Sequence, residues 1–244
     1  MHHKDIHKYL VNLGNPNIAE HSQRFFKTGP GEYGEGDIFL GIRMPVIRAT
    51  IKLFKEADLA TAQSLLKSQY HEIRIFALLL IVTLFKKSSF DEQANIYNVY
   101  LANTQYINNW DLVDCSAHYI VGQHLLNEGL IDNDLFTKGQ GTLHKLVKSD
   151  SLWERRIAVL ASFQFIRVHE FKLSLNIYEA LLEDPEDLIH KAVGWMLREL
   201  GKRDRELLEA FLKKHISHMP RTMLRYAIEK FTKEERQYFL TLKR

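Results

Sequence analysis

The chain has 244 residues, 45% of them hydrophobic, enough to bury a substantial core. Its formal net charge of +3 is far from the basicity of a histone-like binder. A single cysteine, Cys115, excludes an internal disulfide and a cysteine-built zinc cage and suits a reducing compartment. Met1-His2-His3-Lys4-Asp5 lacks an apolar secretory core, and apolar runs such as 75–85 are too short to span a bilayer, so a cytoplasmic protein without a membrane role is expected.

Apolar residues recur three and four apart along nearly the whole chain, as at Ile75, Leu78 and Leu79 or at Ile157 and Leu160, which predicts an all-α protein. The first departure is 29–37, Gly-Pro-Gly-Glu-Tyr-Gly-Glu-Gly-Asp, too rich in glycine for a stable helix and therefore a loop or tight hairpin. It has no Walker lysine, and Glu32, Glu35 and Asp37 would repel an anion, which argues against nucleotide binding. Met44-Pro45 opens a helix, with proline where an N–H would be unpaired anyway. Asn108-Asn-Trp-Asp-Leu-Val-Asp114 follows, placing Trp110 and Asp114 four apart on one helical face. Trp153-Glu-Arg-Arg156 sets a second tryptophan beside Arg155 and Arg156 at a helix start. Asp184-Pro-Glu-Asp187 opens another helix, with Asp184 as cap and Pro185 in the first turn. Lys191, Trp195 and Arg198 then share one stripe by the same spacing. From Lys202 to Arg244 cations crowd the chain, a pattern that suits a solvated helix surface as well as phosphate contact.

A weak repeat runs through these helices, a basic residue preceding a small apolar run at Arg74, Arg156, Lys191 and Arg225. The intervals from 156 to 191 and from 191 to 225 are 35 and 34 residues, and 74 to 156 leaves room for two longer units. Such periods suit stacked helix pairs, so a HEAT-like repeat α-solenoid is expected, a single domain over 1–244 with a loop or hairpin insertion at 29–37. An ordinary helical bundle is the simpler alternative.

Two readings of the charged aromatic segments stand open on the residues alone. In one, the tryptophans fill core, Asp114 partners an arginine, and the cations are solvated or snorkel. In the other, a carboxylate, aromatic faces and arginines on corresponding helices line one groove suited to a cationic sugar-like transition state beside phosphates. His215 and His218 have metal-compatible spacing but no completing ligand set, so no metal site is expected. Cys115 reads as packing, and neither a serine nucleophile elbow nor a nucleotide fingerprint is present.

Four segments, 39–45 (Phe-Leu-Gly-Ile-Arg-Met-Pro), 110–114 (Trp-Asp-Leu-Val-Asp), 152–158 (Leu-Trp-Glu-Arg-Arg-Ile-Ala) and 190–199 (His-Lys-Ala-Val-Gly-Trp-Met-Leu-Arg-Glu), resemble, in order, the AlkD-type DNA alkylation repair enzymes, which are built from HEAT-like repeats. The resemblance covers most of the chain. It implies hydrolysis of the N-glycosidic bond of purines alkylated at N3 or N7 in double-stranded DNA, without metal or organic cofactor. Asp114 matches the family's catalytic carboxylate, and Trp110 and Trp195 its aromatic walls. Arg156 and Arg198 match its backbone-contacting arginines, and Lys191 and Arg155 join them as DNA-binding candidates. The expected protein is a monomer, bound to the nucleoid when it engages DNA. The 29–37 insertion departs from the pattern of the best-known members. Similar proteins carry a hairpin and bind branched DNA without glycosylase activity, which is the alternative function, and a protein-binding HEAT scaffold is the third.

Overall fold

Several of the described helix starts carry a short polar side chain that occupies backbone N–H groups the helix leaves unpaired. In the computed structural model, which describes residues 2–129 and 141–242, the Asn15 side chain accepts from Ile18 N–H, Asp58 from Thr61, Ser151 from Glu154 and Asp204 from Leu207. Ser89 and Glu92 cap each other reciprocally at the start of Phe90–Leu101. Pro45 sits in the first turn of Met44–Leu53, as its sequence predicts.

Among the described residues the chain is helical with no strand; a single bridge pairs Ile38 with Tyr70. The all-α class predicted from periodicity is therefore the observed one. The residues gather into two compact units, 1–116 and 117–244.

In the first unit the helix His71–Lys87 is the centre, packed by Met44–Leu53, Leu59–Leu66, Phe90–Leu101 and the short Trp110–Asp114 helix. It is buried nearly all round, with Ile73, Phe76, Leu80 and Ile81 fully enclosed, which is why its sequence shows so little of an amphipathic stripe. Between Pro16–Phe25 and Met44–Leu53 the chain runs through the 29–37 segment as a series of turns. Glu32 accepts the Gly29 N–H at 2.9 Å and Glu35 accepts the Gly31 N–H at 2.8 Å, so two of its three acidic residues satisfy the segment's own backbone.

In the second unit successive helices stack: Leu152–Arg167 packs on Asp187–Gly201, which packs on Arg221–Ala227, with Lys172–Ala180 and Arg205–His215 as the connecting partners. This is solenoid-like packing in pairs. Arg74, Arg156, Lys191 and Arg225 occupy the fourth or fifth position of their respective helices, so the weak repeat read from the sequence marks equivalent helix positions. Glycine permits two of the closest approaches. A methyl group on Gly194 would lie 2.5 Å from the Met223 carbonyl oxygen, and one on Gly122 would lie 2.3 Å from that of Ala161. Gly122 ends a widened helical turn, His118–Gly122, that continues into Gln123–Asn127.

One boundary differs from expectation. The helix after Asp184 begins at Asp187 with Glu186 as its cap residue, and Asp184 does not cap it. The reason is competition: the Asp184 carboxylate takes the Arg155 guanidinium at 2.6 Å and the Glu186 N–H at 2.9 Å, which leaves Pro185 outside the helix.

Candidate nucleic-acid interface and active site

The Trp110–Asp114 helix is only five residues long, too short to hold itself together, so its geometry is imposed by its surroundings. Asn109 accepts the Trp110 N–H at 2.8 Å through its side chain. At the other end the Ser116 hydroxyl donates to the Leu112 carbonyl at 2.6 Å and meets the buried Tyr100 hydroxyl at 2.9 Å. Leu112 and Val113 point into the core, while Trp110, Asp111 and Asp114 are half-buried. Trp110 and Asp114 thus share one turn, as their spacing predicts.

The Trp110 ring lies at the top of an aromatic column. It stacks on Phe26 with centroids 5.2 Å apart, Phe26 stacks on Phe39 at 5.0 Å, and Phe39 on the His71 imidazole at 4.4 Å. Phe25, 59% exposed, meets the Trp110 ring edge-on at 6.2 Å.

Beneath this column lies a charged network that sequence reasoning missed. Asp37 accepts from Arg74 at 2.6 Å and from His71 Nδ1 at 3.1 Å, with the side-chain amides of Asn108 and Asn109 at 3.3 and 3.4 Å. His71 Nε2 donates to Asp111 at 2.8 Å. The His71 and Asp37 side chains are 2% and 3% exposed. Burial alone would raise the Asp37 carboxyl, but the His71 hydrogen bond and the Arg74 charge outweigh it and hold the group at about 2. For His71 burial opposes protonation, yet the Asp111 charge and the two carboxylate hydrogen bonds raise it to about 9 despite the opposing charge of Arg74. The imidazolium therefore bridges two carboxylates. Its neighbour Glu72 accepts the N–H groups of Leu40, Gly41 and Ile42 at 2.8, 2.7 and 3.2 Å, fixing the same loop from the adjacent position.

Cys115 has its thiol pushed far up by burial and by the charges of Asp111 and Asp114, so it is not a thiolate nucleophile. The charge of Arg48, exposed on Met44–Leu53, opposes that rise only weakly.

In the second unit Lys191, Trp195 and Arg198 are all half-buried on one side of Asp187–Gly201, with Ala192, Val193, Met196 and Leu197 buried opposite. The stripe is real, and its cations are engaged: Lys191 with Asp187 at 2.7 Å and Arg198 with Glu229. Arg155 clamps Asp184 and donates to the carbonyls of Ser149 and Asp150 at 2.9 and 3.0 Å. Arg156 is 5% exposed and donates to the Leu188 carbonyl at 2.6 Å, tying its helix to Asp187–Gly201. Of the exposed cations in the last segment, Arg221 and Arg225 lie on the outer face of Arg221–Ala227; Lys243 and Arg244 lie outside the described residues. His215 pairs with Glu179 at 2.9 Å, and among the described residues no cluster of His, Cys, Asp and Glu is arranged to hold a metal ion. No helix among them is long and apolar enough to cross a membrane.

No curated protein matches the chain in sequence. Among solved structures, a predicted DNA alkylation repair enzyme from Enterococcus faecalis matches with a TM-score of 0.70 at 17% identity, over 90% of this chain and 97% of that one, a likeness that shows the fold alone. The model of the DNA alkylation repair enzyme family matches residues 6–231, nearly the whole length. With that match and an all-helical fold shared with such a protein, the chain belongs to the DNA alkylation repair enzyme family, whose partner is DNA.

Proposed function

We propose that the protein is a DNA glycosylase that hydrolyses the N-glycosidic bond of purines alkylated at N3 or N7. The observation that carries this reading is the pairing of a half-buried carboxylate, Asp114, with an aromatic ring, Trp110, on one turn whose orientation is fixed from below. Alkylation at those nitrogens places positive charge on the base and makes it a good leaving group. The chemistry left to the protein is to stabilise the cationic sugar that develops as the bond breaks and to direct water at it. A fixed carboxylate does the first electrostatically and accepts a hydrogen bond from the water for the second. The face of an indole attracts the same cation, and because Phe26 covers one face of Trp110, the ring has little freedom to turn away.

The second unit carries its own candidate DNA contacts. Trp195 is its aromatic group, and Lys191 and Arg198 are its phosphate-binding cations, each exchanging a surface carboxylate for a phosphate. Arg155 and Arg156 belong to the same set by resemblance, with their guanidinium groups already bonded to Asp184 and to the Leu188 carbonyl. The preferred DNA is double-stranded and the protein acts as a monomer.

Incubating the purified protein with methylated duplex DNA and separating the released bases tests the reading. Release of 3-methyladenine or 7-methylguanine is the expected result. No release, together with tight binding to a four-way junction, would replace it with the branched-DNA reading.

A further inference from the structure

His71, Asp37 and Asp111 are joined by two hydrogen bonds that span 34 and 40 positions of sequence and connect three separate pieces of the first unit. Asp37 ends the glycine-rich segment, His71 opens the central helix, and Asp111 lies between Trp110 and Asp114. Arg74, one turn after His71, closes the network from the same helix. Two carboxylates and two cations make it neutral as a whole, which is what allows it to stay buried.

The placement of Asp111 gives the network its meaning. Its Oδ1 accepts the Leu112 N–H at 2.9 Å while its Oδ2 takes the imidazolium, so one side chain pins the first turn of the five-residue helix to the core. The same imidazole ends the aromatic column under Trp110, so the ring and the backbone of this turn rest on one group. A buried network in which each carboxylate and the imidazolium have partners holds those members to one arrangement, and displacements near 1 Å at a reacting group are enough to cost about 100-fold in rate.

We propose that His71 is a positioning residue for this site: bridging Asp37 and Asp111, it sets the orientation of Trp110 and Asp114, and the 29–37 segment serves as its support. The proposal rests on the glycosylase reading only for what Trp110 and Asp114 do, not for how they are held. It changes the role of the glycine-rich insertion, whose Asp37 is an internal anchor for the site and not a surface group facing DNA.

The test uses the full chain labelled with ¹⁵N, in which the three indole N–H signals are assigned with Trp110→Phe, Trp153→Phe and Trp195→Phe, and compares His71→Gln with Asp111→Asn. Asp111→Asn leaves the buried Asp37, His71 and Arg74 contacts in place and so remains folded if His71→Gln does not. The expected result is that Asp111→Asn, and His71→Gln where it folds, shift or broaden the Trp110 indole signal while those of Trp153 and Trp195 stay put. Single-turnover base release should fall by about 10- to 100-fold with DNA affinity within about twofold, and Asp111→Glu should recover part of the rate. An unmoved Trp110 signal in folded Asp111→Asn overturns the proposal whatever the activity. Absence of base release by the wild type overturns the glycosylase reading, and the indole signals still decide whether His71 orients the turn.

Discussion

Charged groups in the two units are held in contrasting ways. Around Trp110 the ions are sunk in the core, where Asp37 and His71 are almost fully enclosed and satisfied by several partners each. On Asp187–Gly201 the cations Lys191 and Arg198 are half-buried, each paired with a more exposed carboxylate from its own helix or the neighbouring segment. Buried pairs are rigid because breaking them strands a charge away from water. Surface pairs are worth little and exchange readily. On the proposed function the two regions do different work. There the first unit holds a carboxylate and an aromatic ring in fixed geometry, as bond-breaking requires, and the second offers cations that trade one anion for another, as a salt-sensitive DNA contact requires.

The comparison breaks most visibly if the buried network is dispensable. Asp37→Ala leaves His71 and Arg74 without their shared counter-charge, and unfolding in urea should show a loss of about 3–5 kcal/mol. A loss below about 1 kcal/mol would mean that the network is no more rigid than the surface pairs.

A second consequence concerns pH. The His71 value rises from 6.5 unfolded to about 9 folded, so its stabilisation is complete below about pH 6.5 and is lost as pH climbs through 9, on the order of 3 kcal/mol in all. Asp37, lowered from 3.8 to about 2, acts at the other end: its contribution is present above about pH 3.8 and fades as pH falls toward 2. Urea midpoints between about pH 6 and pH 10 should therefore decline in the wild type, with His71→Gln flattening the decline.

The second unit can be probed through its close helix contact. Gly194→Ala drives a methyl group against the Met223 carbonyl and the Tyr226 Cβ, each 2.5 Å away, and should cost about 1–3 kcal/mol in thermal or urea unfolding. Smallest in stability, but sharpest for the contrast, is Arg198→Ala. It should leave the fold nearly unchanged and reduce the slope of log affinity for DNA against log salt by about 1. An unchanged slope would remove Arg198 from the phosphate contacts.

How far the sequence reveals this site depends on the distance over which each feature is written. Trp110 and Asp114, or Lys191, Trp195 and Arg198, sit three or four apart, and helix periodicity alone puts them on one face. The repeat register is legible for the same reason, since intervals of 34 and 35 residues recur between equivalent positions. The supports are not legible. His71 meets Asp37 across 34 residues and Asp111 across 40, with no period linking them, and only the folded loop brings them together. Asp184 misleads in the same way. Its local pattern is that of a cap, but Arg155, 29 residues earlier, captures the carboxylate. One hint was available: an acidic, glycine-rich segment unsuited to anion binding needs internal donors for its carboxylates, and Asp37 finds them in His71 and Arg74.

The central claim, that Asp114 acts on the sugar from a turn fixed in the first unit, is tested most directly by single-turnover base release from methylated duplex DNA, comparing the wild type with Asp114→Asn and measuring DNA affinity for both. The account predicts release by the wild type, a loss of at least about 100-fold in the variant, and equal or slightly tighter binding once a carboxylate near phosphates is gone. Release by Asp114→Asn at the wild-type rate would contradict it.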